Sequence, residues 1–553
     1  MNKRNRRVTA FLVVSLSVTA LVAFDTPNDR YFQIIKNLDI FASLFKEVNA
    51  YYVDEVNPNE MMKVGIDAML NSLDPYTNYI PEDAIEEYRT MTTGRYGGIG
   101  ALVGQRNGEN VVIMPHEGYP ASRAGIKIGD RIISIDGYNI EGKSSDDISV
   151  LLKGQAGTPV TLQVKRFGED APLEFTMLRE KIQIDNVTYS GMVSDNVGLV
   201  RLTDFTMGAS REVKQAIEAL RKEGAESIIL DLRGNPGGLL NEAINICNLF
   251  VERGAEVVST RGKVTDWNKT YRTLNPAFDT DLPVAVLISS GSASASEIVA
   301  GVLQDYDRGI LVGQKSFGKG LVQATRPLTY NSQLKVTTAK YYIPSGRCIQ
   351  ALDYTHRRAD GSVGRVPDSL KSEFFTQNGR SVFDGGGVDP DVDIDPENLA
   401  PITRNLMAQN LLFDYATRYF YLHDKIAPAR NFRLSDAEYD DFVQWVTDKN
   451  FDHRTATERE LEELIASAKD EQYYNEVERE LKALQDRLTR NKASDLQTFK
   501  EEIRSQLEEE IAAHYYFEVG RVEVSFSHDE EVAEAIRLLN SPKEVSELLA
   551  RQE

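Results

Sequence analysis

Three short stretches combine residue types that could carry out acyl transfer. The first, at 290–306, reads SGSASASEIVAGVLQDY. An apolar strand runs into a turn of small residues, and a helix begins. A serine at such a junction has two uses. Ser294-x-x-Glu297 is a capping box, in which the hydroxyl takes the N3 amide and the glutamate reaches back. It is also a place for a nucleophile, because unpaired N–H groups at a helix N-terminus can stabilise an oxyanion. The second stretch, GQKSFGKGLVQ at 313–323, is a glycine-flanked loop between two strands. A lysine drawn inward there, Lys319, would have its pKa lowered by desolvation and could act as a base. A solvated loop lysine is the ordinary alternative. Gln323 follows four residues on, in the strand. The third, IILDLRGNPGGLL at 228–240, is a buried strand ending in a glycine-rich loop that opens a helix. Gly237 and Gly238 either bring backbone N–H groups close to a ligand or make a tight turn.

The elements that must position these residues alternate. Strands are predicted at 197–202, 227–232, 284–289 and 310–312, with helices at 209–222, from 239 and at 294–306. Further strands follow at 321–327 and 333–343. This order implies a layered α/β domain over 186–394. Upstream, 96–182 has short β-rich runs, glycine turns and one short helix after Ser145, the pattern of a compact, mainly β module. Residues 28–92 read as helices, with Ile34, Leu38, Phe41, Leu44 and Phe45 at helical spacing. From 398 the chain is charged helix with no solenoid period and no sustained heptads.

Together and in this order, the three stretches resemble the C-terminal processing peptidases, or tail-specific proteases. That family carries a Ser-Ala-Ser-Ala-Ser-Glu block, here 292–297, and a Phe-Gly-Lys-Gly loop ending in Val-Gln, here 317–323. The resemblance implies Ser294 as nucleophile, Lys319 as general base and Gln323 as the residue that orients the lysine. It also implies an oxyanion hole from the Ala295 amide and the glycine loop, Gly237 and Gly238. The implied core is of the crotonase-like (ClpP/crotonase) type, and no cofactor is implied. Lesser matches are LDPYTNYI from Leu73, KYYIPSGRCIQ from Lys340 and GGVDPDVDI from Gly386; Cys348 stands where the family usually has Ser.

The β module resembles a PDZ domain. YGGIGALV at 96–103 is similar to its carboxylate-binding loop and first strand, and PASRAGIKIGDRIISIDG at 120–137 to its glycine-aspartate turn. The resemblance implies that backbone N–H groups of Gly98, Ile99 and Gly100 hold a terminal carboxylate while the peptide adds as a strand. Lys153-Gly154 departs from the family's usual Arg-Gly, and lysine lacks the bidentate fork.

Other motifs fail. Gly313 to Lys319 copies most of a phosphate-binding loop, but Gly320 stands where Ser or Thr should be and a strand follows instead of a helix. Ser316-x-x-Lys319 and Ser194-Asp195-Asn196 match penicillin-binding motifs in the wrong order, without a Lys-Thr-Gly. There is no Gly-x-Ser-x-Gly and no His-Glu-x-x-His. The six histidines are scattered, so no metal site is expected.

Composition places these elements. The 553 residues carry a net charge of −21, which argues against nucleic acid as a partner. Residues 451–553 hold 14 cations and 26 anions, more than half of that imbalance. At the other end, Lys3, Arg4, Arg6 and Arg7 precede an uncharged apolar run at 8–24, the form of a secretory leader or signal anchor. Export, residence in the periplasm and inner-membrane anchoring follow as expectations. Cys247 and Cys348 are too few for a disulfide framework, and Cys247 lies in an apolar helical pattern. The expected division is a leader at 1–24, an N-terminal helical segment at 28–94, a PDZ domain at 95–182, an α/β serine protease core at 183–395 and an acidic helical region at 396–553.

The expected activity is a serine endopeptidase acting on proteins with apolar C-terminal tails, assembled into homo-oligomers through its helical regions. A non-catalytic PDZ scaffold or holdase and an acyl-CoA enzyme are the competing readings. The scaffold would give stable complexes without fragments, and the acyl-CoA enzyme would turn over thioesters. The acidic tail is either an assembly element or a solvated appendage.

Overall fold

The computed structural model describes residues 27–550 apart from 359, 450, 452–454 and 493. The leader expected at 1–24 lies outside the described residues. Two compact units divide the chain, Met1–Tyr79 and Ile80–Glu553.

In the first unit, helix Pro27–Tyr51 carries the apolar row anticipated from Ile34 to Phe45. Asn57 caps helix Pro58–Asn71, its Oδ1 accepting the Asn59 and Glu60 amides. Much of the apolar row is exposed, including Ile34, Leu38, Phe41 and Leu44.

The second unit is built on a six-stranded sheet. Its order is Val187–Met192, Val197–Leu202, Ser227–Asp231, Val284–Ile288, Ile310–Gly313 and Val392–Asp393. The first pair is antiparallel and the others are parallel. Ser227–Asp231 and Val284–Ile288 are buried at every position, so their sequences are nearly unbroken apolar runs. One face carries helices Ala209–Glu223, Leu240–Phe250 and Ala295–Asp305. Val213, Ile217 and Leu220 form the inward stripe of the first of these, and Gly224 ends it in a left-handed cap. Cys247 is fully buried among these helices, as its apolar surroundings suggested.

The opposite face is covered by the end of the chain. Leu199, Ile229, Leu287 and Val312 pack with Val522, Val532, Ala535 and Leu538. Helix Glu530–Leu539 is therefore a layer of the α/β core. Each large aliphatic side chain it buries is worth roughly 1.5–3 kcal/mol over exposure. A second sheet pairs Leu321–Pro327 with Gln333–Tyr342, and that strand with Glu256–Gly262 and then Lys269–Arg272.

The mainly β module is an antiparallel sheet ordered Ala101–Arg106, Glu109–Pro115, Arg131–Ile135, Pro159–Lys165 and Leu173–Leu178, with helix Ser145–Leu152 beside its edge strand. The strands that lead into and out of it, Arg95–Gly98 and Glu180–Gln183, pair with each other. The module's far side rests on the C-terminal helices. At Gly129, with φ +85°, a Cβ would lie 2.5 Å from Thr417. Arg106 stacks 4.4 Å from the Phe413 ring centre, and Phe167 stacks on Tyr421 at 5.9 Å. Helix Lys500–Ser525 breaks at Phe517, whose φ of 55° and ψ of −149° turn it out of the helical path. Phe517 joins Val111, Ile113 and Met114 of the module in one apolar cluster.

Candidate active site

Ser294 stands between strand Val284–Ile288 and helix Ala295–Asp305 with φ 56° and ψ −110°. A non-glycine residue held there costs about 1–3 kcal/mol and persists only where its surroundings fix it. The chief fixing group is Glu297, wholly buried one turn into the helix. Its Oε2 accepts the Ser294 amide at 2.8 Å and the Lys319 amide at 2.9 Å. Its Oε1 accepts the Gly318 amide and the Ser316 hydroxyl, both at 2.6 Å. Burial pushes the Glu297 carboxyl up, and the four donors oppose that shift. One carboxylate thus joins the serine turn to the lysine loop. The Ser294 and Lys319 nitrogens, sharing one oxygen, lie within about 6 Å of each other.

A second group makes the same link from the carbonyl side. The Tyr341 hydroxyl lies 2.7 Å from the Lys319 carbonyl oxygen and 3.2 Å from that of Ser294. Burial, then the nearby Glu297 carboxylate, hold its phenol well above the ordinary value, so it remains a donor. Lys319 itself is half-buried between Gly318 and Gly320. Gly318 has φ +89° and its Cβ would meet Ala351 at 2.4 Å, so the loop requires glycine there. Gln323 projects from strand Leu321–Pro327 and donates to Thr337 Oγ1 at 3.1 Å.

The glycine loop packs directly against the serine. A Cβ on Gly237 (φ +97°) would lie 2.6 Å from the Ala293 carbonyl, 2.8 Å from the Ala295 nitrogen and 2.9 Å from Ser294 Cβ. Asn235, fully buried, locks this approach. Its carbonyl accepts the Ala293 amide at 3.0 Å and the Ser296 hydroxyl at 2.9 Å, and its side chain donates to the Leu202 carbonyl at 2.7 Å. Its Oδ1 accepts the Gly237 amide at 2.8 Å. That amide is therefore committed in this conformation. Gly238 instead forms a bridge with Phe205. Ala295 is the first residue of its helix, where no preceding turn supplies an acceptor for its amide.

The structure thus brings Ser294, Ala295, Gly237 and the Lys319 backbone together. Sequence reading had Glu297 only as a cap and did not single out Asn235 or Tyr341. Asn235 lies inside the glycine motif and Tyr341 inside KYYIPSGRCIQ, so the signal was their position in matched stretches. Ser316 is a structural hydroxyl: it donates to Glu297 and accepts the Val388 amide at 2.7 Å, which fits the rejection of the Ser-x-x-Lys motif.

In the β module, Gly98, Ile99 and Gly100 lead into the edge strand Ala101–Arg106, whose outer side faces helix Ser145–Leu152. A Cβ on Gly100 (φ +71°) would lie 2.5 Å from Tyr119. Arg179 closes the helix: its guanidinium donates to the Leu151 and Leu152 carbonyls at 2.8 and 3.1 Å and to that of Pro159 at 2.8 Å. Lys153 lies 5.7 Å over the Tyr96 ring, and a Cβ on Gly97 would meet the Gly154 carbonyl at 2.1 Å.

An α/β core with a strained serine braced against a lysine loop, and an inserted mainly β module edged by Ala101–Arg106, define a PDZ-bearing serine protease. Comparison with known proteins makes the class specific. Models of peptidase family S41 match residues 196–356, of a PDZ domain 111–166, and of the C-terminal helical domain of probable PDZ-proteases 402–539. The carboxy-terminal-processing protease of Bartonella bacilliformis is 39% identical over 350 residues, spanning 62% of this chain and 79% of that one. A probable CtpA-like serine protease of Staphylococcus aureus strain MRSA252 is 35% identical over 345 residues, spanning 61% and 68%. Among solved structures, a photosystem II D1 C-terminal processing protease is 27% identical with a TM-score of 0.34, covering 65% of this chain and 93% of that one. The chain belongs to the carboxy-terminal-processing serine proteases of peptidase family S41.

Proposed function

We propose that the protein is an exported endopeptidase that captures the apolar C-terminal tails of protein substrates in its PDZ domain and cleaves them with a Ser294–Lys319 pair. The observation that carries this reading is the double tie of Glu297 and Tyr341, which binds the serine turn to the lysine loop. Neutral Lys319 takes the Ser294 hydroxyl proton as Oγ attacks the peptide carbonyl carbon. The Ala295 amide and a glycine-loop amide receive the developing oxyanion. Gly237, which packs against Ser294, joins when Asn235 releases its amide, and Gly238 is the alternative donor. The C–N bond then breaks, and Lys319 passes its proton to the leaving amine. Water attacks the acyl ester, gives a proton to Lys319 and frees the product acid, restoring the Ser294 hydroxyl. Gln323 orients the lysine from the neighbouring strand.

The tail adds antiparallel to Ala101–Arg106, with its carboxylate at the amides of Gly98, Ile99 and Gly100. The core is of the crotonase type, in which a glycine turn faces a helix N-terminus. The leader directs the chain to the periplasm, either as a cleaved signal peptide or as an anchor in the inner membrane. Copies assemble through the helical regions, a reading supported by the exposed Ile34, Leu38, Phe41 and Leu44. Sedimentation of the full chain against a Leu38→Glu/Phe41→Glu variant tests this, and identical monomeric profiles would defeat it.

The deciding experiment incubates the purified chain with an unstructured protein ending in apolar residues and reads fragments by mass spectrometry. Ser294→Ala and Lys319→Ala are expected to bind the tail and release no fragments. Full cleavage by either variant would overturn the assignment, and a stable complex without fragments from the native chain would mark a scaffold.

A further inference from the structure

Arg233 follows strand Ser227–Asp231 at the start of the glycine loop, four residues before Gly237. Its guanidinium is forked onto Asp231, with Nε to Oδ1 at 2.9 Å and Nη2 to Oδ2 at 2.8 Å. It is also held by two carboxylates almost 300 residues away. Nη1 and Nη2 donate to Asp529 at 2.9 Å each, and Nη1 donates to Glu531 Oε2 at 2.6 Å. The second oxygen of Glu531 accepts Gln314 Nε2 at 2.5 Å. Gln314 directly follows strand Ile310–Gly313 and opens the loop that carries Lys319. Glu531 therefore touches both loops of the site, one with each oxygen.

The two acids are firmly mounted. Asp529 caps helix Glu530–Leu539, its Oδ1 accepting the Val532 amide at 3.0 Å. That helix is pressed onto the sheet by Val532, Ala535 and Leu538. Asn540 at its far end accepts the Asn196 side-chain amide at 2.8 Å. A carboxylate on a packed helix can fix the spacing of the glycine loop and the lysine loop, each of which it touches with one oxygen.

We infer that Glu531, with Asp529, is a positioning residue of the protease. It braces the glycine loop through Arg233 and the lysine loop through Gln314, from the side of the sheet opposite the serine helix. The inference rests on Ser294 and Lys319 being the reacting pair. Both loops carry groups whose placement sets the rate, and a shift of about 1 Å in such groups can cost up to about 100-fold. Loss of the brace alters the relation of Ala295, the glycine amides and Lys319, while the tail-binding groove on the PDZ edge is untouched.

The test uses the full chain and a peptide with an apolar tail. Glu531→Ala is expected to lower kcat by about 10- to 100-fold with KM within twofold of native, with the folded fraction checked by circular dichroism. Glu531→Gln, which keeps an acceptor for Gln314, should recover part of the loss. Gln314→Ala and Glu531→Ala combined should fall no further than Glu531→Ala alone, because both cut the same tie. Should Glu531→Ala fail to fold, Glu531→Gln and Gln314→Ala carry the test by the same split. An unchanged kcat, or a loss confined to KM, overturns the brace. Ser294→Ala in the same assay separates the two ideas: activity surviving there defeats the catalytic pair, whereas a normal kcat in the Glu531 and Gln314 variants defeats the brace alone.

Discussion

Replacing Glu297 with Gln separates a brace from a cap. The native carboxylate takes two donors on each oxygen: Gly318 and Ser316 on Oε1, and Ser294 and Lys319 on Oε2. An amide in the same place keeps one oxygen and turns an NH2 group toward the other pair. With the NH2 group toward Ser294 and Lys319, two buried amide donors face a donor; toward Gly318 and Ser316 only the Gly318 amide does, because the Ser316 hydroxyl can accept. Hydrogen bonds to a charged group are worth about 1.5–3 kcal/mol each against about 0.5–1.5 for a neutral acceptor, so losing one and weakening the others gives a gross loss of about 3–6 kcal/mol. Removing a buried charge, whose burial already pushes its carboxyl up, returns part of that. The net expectation is about 2–4 kcal/mol. The favoured flip keeps Ser294 and Lys319 on the oxygen and frees the Gly318 amide beside Lys319, which loosens the lysine loop, so kcat should fall about 10- to 100-fold even in the folded fraction. A residue acting only as a helix cap would cost about 1 kcal/mol and leave turnover nearly intact. Urea denaturation followed by near-UV circular dichroism, with kcat measured at matched folded concentration, gives both quantities. A loss below about 1.5 kcal/mol with kcat within threefold of native would refute the brace.

Tyr341→Phe keeps the ring and removes the hydroxyl that spans the Lys319 and Ser294 carbonyls. It should cost about 1–2 kcal/mol and lower kcat more than KM rises, as read by steady-state kinetics. Arg179→Met strips the guanidinium from three carbonyls around the end of helix Ser145–Leu152. Tail-peptide binding by fluorescence anisotropy should weaken at least 10-fold, while cleavage of a tailless peptide stays unchanged. His514 is buried, and burial holds its imidazole below the ordinary value, with Glu510 opposing. Its contribution to stability is complete above about pH 6.5 and is lost as pH falls through the lowered folded value. Denaturation midpoints at pH 7.5 and 5.0 should differ less in His514→Gln than in the native chain, and an equal difference would exclude His514.

Local pattern revealed Ser294, Lys319 and the glycine loop, because each sits where a strand meets a loop whose small residues are dictated by close backbone approach. The 284–289 and 310–312 strands were readable for the same reason: strands buried on both faces are apolar throughout. The polar strand Lys269–Arg272 has no such mark, and neither does the hairpin of Leu352–Arg357 and Val363–Arg365. Tyr341 alternates like any strand tyrosine, and nothing local says that its hydroxyl reaches two carbonyls. The greatest gap is the tail. Val532, Ala535, Leu538 and Leu539 form a visible stripe on a charged helix, but a stripe does not name the surface it covers. The carboxylates of Asp529 and Glu531 looked like part of a solvated acidic run because their partners, Arg233 and Gln314, are brought close only by the fold.

The placement of helix Glu530–Leu539 on the sheet sets an order of events in the life of the chain. Until residue 539 has been synthesised, one face of the central sheet has no cover, and Leu199, Ile229, Leu287 and Val312 remain without their partners. A chain still emerging from a ribosome therefore holds its serine and lysine but not a finished core. That arrangement delays a finished core until residues 530–539 can fold onto the sheet. It also makes helix Glu530–Leu539 a place where a single backbone cut would uncover one face of the central sheet.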